Sequence, residues 1–266
     1  MHTYLSNVWK YRFFWMSLVR MDLRTRYRRS VLGIGWSLLH PIAMTAILCA
    51  VFARIFEENV TDFAPYLLAG LCCWTFLTTV TLVGANAFFV NEAYIRQCPQ
   101  PMAIYPLRTA LGCAFHFLMA QAAVLALILT LNLLGYPRPF NPLLIAVIVP
   151  TATVMLFVLG WSLATLVGLA NVHFADTHHI AEIGFQILFY CSPIMYRTAR
   201  LRGVGLSWLA DLNPVVPILQ VVRDPLLTGE LPSISTFLTA SGIVAAAAGL
   251  AVIALSRLQK RLIFHL

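Results

Sequence analysis

Charge is what this chain has least of. Asp, Glu, Lys and Arg make up 11% of its 266 residues, while 60% are hydrophobic; an ordinary soluble domain is about 25% charged. Eighteen basic and ten acidic residues cannot cover a soluble body of this length with a polar skin. The bilayer is therefore the expected solvent, and windows of about 20 apolar residues count as spans. Lysine is scarcer still: only Lys10 and Lys260 occur, and neither follows a glycine. That excludes a phosphate-cradling P-loop, which needs Gly-Lys after a glycine-rich turn. If ATP drives this protein, the ATPase is another chain. Cys49, Cys72, Cys73, Cys98, Cys113 and Cys191 form no CxxC pair. Most fall inside apolar runs, where a thiol is a small apolar filler, so disulfides are not expected. Met1 to Trp15 carries Lys10 and Arg12 without a short apolar core and cleavage site. No secretory signal is read there, and the membrane segments are expected to stay in the mature protein.

What is present is a series of charge-free runs. Six spans are expected: Ile34 to Phe56, Phe63 to Val90, Thr109 to Tyr136, Phe140 to Asn171, a short fifth from Ile180 to Tyr196 broken near its end by Pro193, and Ile234 to Ser256. No long polar stretch separates them, so one membrane domain is expected: 1–33 at the interface, 34–256 as the bundle and 257–266 as a tail. Ser241, Ala245 and Gly249 place small residues at four-residue spacing, a pattern that suits close helix packing. With both termini cytoplasmic, twelve Lys and Arg residues fall inside and five outside: Arg138, Arg197, Arg200, Arg202 and Arg223. The positive-inside rule therefore supports cytoplasmic termini. The last outside loop, Arg197 to Ser233, holds apolar pieces too short to cross, broken at Asn213-Pro214, Pro217 and Asp224-Pro225. Prolines break helices, and broken backbone at membrane depth needs protein or a water-filled cavity around it. A re-entrant element near the outer face is the expectation.

"RMDLRTRYRRSVLGIGWSLLHP", Arg20 to Pro41, packs five arginines against the start of the first span. At about 100° per residue, Met16, Val19, Leu23 and Tyr27 share one arc. Arg20, Arg24 and Arg28 line its edge, with Arg26 and Arg29 on the remaining face. This describes an amphipathic helix lying in the interface, oily side down. "HFADTHH" brings His173, Asp176, His178 and His179 within seven residues, which suits zinc chemically, but the spacing is not H-E-x-x-H. His40 and His116, in or beside apolar runs, read as packed or capping residues. A mid-bilayer charge costs about 2.5–3.5 kcal/mol on insertion scales, and the expected spans are nearly clean of charge. An ion pump or proton-coupled carrier is disfavoured on that ground.

"VRMDLRTRYRRSVLGIGWSLLHPIAM", "NEAYIRQCPQPMAIYPL", "QILFYCSPIMY" and "LNPVVPILQVVRDPLLTG" resemble the membrane subunits of ABC-2 type polysaccharide exporters, the permeases of O-antigen, capsule and teichoic acid. The resemblance covers nearly the whole chain. One departure is that Ala175, not Arg, stands before Asp176. The resemblance implies an all-α permease that pairs with a second copy of itself and with an ATP-binding subunit, on which ATP and Mg would act; no cofactor is expected in this chain. The cargo it implies is a glycan on a polyprenyl pyrophosphate lipid. Arg20, Arg24 and Arg28 would then meet the pyrophosphate, since Arg pairs with phosphate in a two-pronged geometry that Lys cannot match. Asn91 to Pro106, with Glu92, Arg96 and the prolines at 99, 101 and 106, would be the loop gripped by the ATPase. A neutral, bulky glycan needs aromatic planes and polar edges, for which Trp74, Phe185, Phe189, Tyr190 and Tyr196 are the candidates. Asn213, Pro214 and Asp224 would mark the outer mouth. Two other classes remain open on the sequence: an ABC-2 drug or antibiotic exporter, and an intramembrane glycan-transferring or metal-dependent enzyme.

Overall fold

A computed structural model describes residues 2–28, 30, 32–97, 100–136, 141–203 and 205–262. Arg29, Cys98, Pro99 and Arg138 lie outside the described residues, as do the side chains of Tyr27, Ile34, Arg202, Lys260 and Arg261. Thirteen α-helices and no strand occur among the described residues. Two short N-terminal helices, α1 (His2–Lys10) and α2 (Arg12–Tyr27), precede α3 (Trp36–Ile55) and α4 (Val60–Ala85). A tight corner follows, built from α5 (Ala87–Val90) and α6 (Glu92–Gln97), and leads into α7 (Ile104–Leu133) and α8 (Pro142–His173). The second half holds α9 (Thr177–Cys191), α10 (Thr198–Gly203), α11 (Ser207–Leu212), α12 (Val215–Leu227) and α13 (Ile234–Leu262).

Five of these helices, α3, α4, α7, α8 and α13, are long and apolar enough to cross a membrane. The expected fifth span is the exception. Its helix, α9, has 15 residues and, at about 1.5 Å per residue, rises roughly 22 Å against a core of about 30 Å. It stops at Ser192, ahead of Pro193, which cannot donate to the helix ladder. The third span starts a turn and a half earlier than its apolar run suggests, so α7 takes Arg108 inside the helix.

The bundle is built around α4. In its apolar window 72% of residues are buried, against 28% or less in the other four spans. Its main neighbour is α8, and the backbones come close because both sides are small. A Cβ on Gly84 would lie 2.4 Å from that of Ala164, so only glycine fits. Gly160, Ala164 and Gly168 form the small-residue stripe of α8, the spacing that lets membrane helices approach. The stripe expected for that role, Ser241, Ala245 and Gly249, is not the packed one. α13 turns Ala240, Val244, Ala251 and Leu255 inward instead and leaves Ala245 and Gly249 exposed.

Between α10 and α13 the chain forms two helices, α11 and α12, divided at Asn213-Pro214. Asn213 fixes the division: its Nδ2 donates to the Cys191 carbonyl and Ser192 Oγ, and its Oδ1 accepts from Val215 N. The second expected break fails, since α12 runs through Pro225 to Leu227. Pro225 deprives only one carbonyl of its donor, and the helix ends within the next turn. α12 buries Val215, Val216, Ile218, Leu219, Val222 and Leu226 against α4, α8 and α13; it is a packed element.

Candidate functional site

Along α9, Glu182, Phe185, Gln186, Phe189 and Tyr190 recur at three- and four-residue steps, which puts them on one helix face. Leu71, Trp74, Thr75 and Thr78 do the same on α4. Between these faces and the end of α3 at His40 and Pro41 lies a groove of about 390 Å³. Trp74 is buried at its wall, with Phe185 edge-on at 5.7 Å and Phe189 at 5.5 Å between ring centroids. Phe189 in turn meets Tyr190 at 5.4 Å. Four of the five aromatic candidates therefore line one groove, and Glu182, Gln186, His40 and two threonines give it polar edges. Tyr196 lies elsewhere. Its hydroxyl donates to the Tyr190 carbonyl and its own carbonyl accepts from Tyr66, so it braces the chain after α9.

The arginine-rich helix is turned differently from its sequence arc. Trp15, Leu18 and Val19 are buried, whereas Met16 is 39% exposed. The packed face of α2 meets α7, and the reason is Asp22. Arg108 donates to it through Nε (2.6 Å) and Nη2 (2.5 Å), a two-pronged pair. The third arm, Nη1, donates to Asn91 Oδ1 at 2.5 Å, and Asn91 Nδ2 donates to the Ala87 carbonyl. One buried guanidinium thus ties α2, α7 and the corner together. At about 100° per residue, Arg26 shares the arc of Trp15, Val19 and Asp22, while Arg20 and Arg24 lie on the far side. Arg20, Arg24 and Arg28 are all exposed.

At the corner, Arg96 Nε donates to Glu92 Oε1 at 2.7 Å, an i,i+4 pair with both side chains about half exposed. Exposed pairs of this kind contribute little, about 0.3–0.5 kcal/mol, so both charges stay available to another protein. Tyr94 of α6 meets Phe14 of α2 edge-on at 5.8 Å, a second tie between the corner and α2. Pro101 is half-buried and its carbonyl accepts from Ile104 N, opening α7.

At the other end of the bundle Arg223 is 4% exposed. It donates to the Pro193 and Ile194 carbonyls at 2.6 and 3.2 Å and lies 4.0 Å from the ring centre of Tyr66. Tyr66 also donates to the Pro193 carbonyl. Neighbouring Asp224 and Pro214 are less enclosed. Burial pushes the Asp224 carboxyl up, and Arg223 opposes that rise. Arg197 pairs with Glu58 at 3.1 Å.

His178, His179 and Glu182 bring one ligand atom each within 4.8 Å. They occupy a single turn in which His179 and Glu182 are exposed and His178 is half-buried, without His173 or Asp176. The described cysteines, Cys49, Cys72, Cys73, Cys113 and Cys191, are all free. Sequence reasoning gave no role to Asp22 or Tyr66, placed Arg26 and Asn91 without their contacts, and missed the structural parts of Arg108 and Arg223. A buried arginine is announced by nothing local; its partners lie 86 and 30 residues away.

Comparison with known proteins agrees with this architecture. The chain is 23% identical over 236 residues to the O-antigen export system permease protein RfbA of Klebsiella pneumoniae, covering 88% of each chain. It is 23% identical to the RfbA of Myxococcus xanthus over 229 residues, covering 86% of this chain and 85% of that protein. It is 22% identical to the polysialic acid transport protein KpsM of Escherichia coli over 218 residues, covering 81% of each. Residues 14–227, from α2 through the end of α12, match the ABC-2 type transporter family, and this multi-pass, all-helical chain belongs to it.

Proposed function

We propose that this chain is the membrane subunit of an ATP-driven exporter that moves a polyprenyl-pyrophosphate-linked polysaccharide across the bacterial inner membrane. The observation that carries the reading is the groove between α4 and α9. Aromatic planes with amide, hydroxyl and carboxylate edges suit a neutral, hydroxyl-rich chain, and the relatives' names point to polysaccharide cargo. Two copies form the conduit. In each, α9 with the turn at Ser192–Tyr196 is the fifth of six crossings, and α11 and α12 form a re-entrant outer mouth around Asn213, Pro214 and Asp224. Both termini are cytoplasmic, with α2 in the interface.

The division of labour follows from the chemistry. ATP is bound and hydrolysed by a separate subunit, which grips α6 through Glu92, Arg96 and the Pro101 turn. Arg20, Arg24 and Arg28, exposed on the outer side of α2, meet pyrophosphate at headgroup level. This chain itself performs no chemistry on its cargo.

The test is made in cells. Removing the chain should abolish surface polysaccharide while lipid-linked polysaccharide accumulates inside, and returning it should reverse both. Purified alone it should hydrolyse no ATP, whereas the complex should. Undiminished surface polysaccharide without the chain would overturn the reading.

A further inference from the structure

Arg26, on the side of α2 turned to the bundle, is exposed to a space that is not a dead end. Under α2 lies a cavity of about 210 Å³ that shares Arg26, Cys113 and His116 with a second of about 400 Å³ between α3, α4 and α7. That second cavity shares His40, Pro41 and Thr75 with the aromatic groove. Three spaces therefore adjoin in series, from the interfacial helix to Trp74, inside one protomer.

The lining changes character along this slot. At the mouth stand Arg26 and the Asp22–Arg108 pair. Arg108 already holds the Asp22 carboxylate with two arms, so the charge left over there is that of Arg26. No carboxylate pairs with Arg26 among the described residues. Beyond it, Ser37 Oγ and His116 Nδ1 are 3.0 Å apart, with Trp36 and His40 close by on α3. The floor is apolar: Cys72, Phe76 and Phe117 are buried, with Ala120 beside them. A cation followed by imidazole and hydroxyl donors and then an oily floor complements one kind of ligand, an anionic head on an apolar tail.

We propose that this slot binds the phosphate head of a membrane amphiphile, with Arg26 as the anion's partner. Ser37, His40 and His116 are its hydrogen-bonding neighbours. His40 stands where the phosphate slot opens into the aromatic groove. The site is separate from Arg20, Arg24 and Arg28, which face the other way. Its place on an export route rests on the function proposed above; its ligand chemistry does not.

The full chain in nanodiscs of phosphatidylcholine is titrated with farnesyl diphosphate, a short prenyl chain carrying the same kind of head. Arg26→Gln should weaken binding at least tenfold and His40→Ala several-fold. Arg12→Gln, the same charge change at the other end of α2, should leave it within twofold. Both Arg26 and His40 are exposed, so these variants are expected to melt with the parent protein. Inorganic pyrophosphate should compete at least a hundredfold less well, because it lacks the tail. Phosphatidylglycerol built into the disc identifies the source. Competition matching farnesyl diphosphate makes the occupant a resident phospholipid; weak competition makes it a prenyl diphosphate, and either supports the site. Equal affinity of Arg26→Gln and the parent, or equal competition by inorganic pyrophosphate, overturns it. Surface polysaccharide is scored separately in cells carrying Arg26→Gln. Loss of binding there with full export leaves the export reading intact and removes the slot from the route.

Discussion

Arg223 is buried with its guanidinium against the ring of Tyr66, and the arrangement depends on residue 70 having no side chain. A Cβ on Gly70 would come within 1.7 Å of Arg223 Nη2 and 2.7 Å of Cζ. The plane is rigid and its far side is occupied by Tyr66, so it has nowhere to shift. Gly70→Ala should dislodge the guanidinium from the Pro193 and Ile194 carbonyls and cost on the order of 3 kcal/mol, the scale of stranding a buried charge. Tyr66→Phe keeps the ring and removes only the hydroxyl that two carbonyls share. It should cost about 1–3 kcal/mol. Thermal unfolding of the two variants in one detergent checks the order. If Gly70→Ala melts with the parent, Arg223 does not hold the end of α9.

Between elements, the Asp22–Arg108–Asn91 cluster makes α2 and the α6 corner one mechanical unit, helped by Phe14 and Tyr94. If an ATP-binding subunit pushes on α6, the push reaches the arginine helix through one guanidinium. Asp22→Arg and Arg108→Asp should each cut export several-fold while the complex still hydrolyses ATP, because the stroke is made but not passed on. The double reversal should recover much of the loss, which a merely misfolded variant would not do. Equal export by both single variants and the parent would show that the two elements move without the cluster. This linkage was not legible in the sequence. The charge-free runs located every long helix within a few residues, because a lipid-facing wall needs unbroken apolar stretches whatever the tertiary fold. The turn of α2 about its axis was not legible, because one acidic residue among five arginines reads as noise until Arg108 is seen across from it. The aromatic groove was partly legible. Phe185 and Phe189 share a face at i,i+4, but the facing wall at Trp74 comes from a different helix.

For the whole molecule, the faces left open matter as much as the packed core. α9 buries none of its own residues, and Ile180, Ile183, Ile187 and Tyr190 are exposed along it. Such a face is stable only against lipid or another protein, which fits a conduit completed by a second copy. Which end of this assembly faces out rests on charge. Arg20, Arg24, Arg26 and Arg28 crowd one end of α3, and Arg257 lies near the end of α13; translocating this end would move more cation than moving the α10–α12 end. Single cysteines test it in a background where the six native ones are replaced. Thr228→Cys, at the exposed end of α12, should react in whole inner-membrane cells with an impermeant thiol reagent. Arg257→Cys, also exposed, should react only after the cells are opened. Because α12 is packed against α4 through Arg223, Thr228→Cys should label faster when ATP turnover moves the outer element. Labelling of Arg257→Cys from outside would invert the topology, and with it the assignment of α6 to the ATPase side. Labelling of both from outside would mean an even number of crossings between them, and α13, the one long helix that separates the two positions, would then not cross.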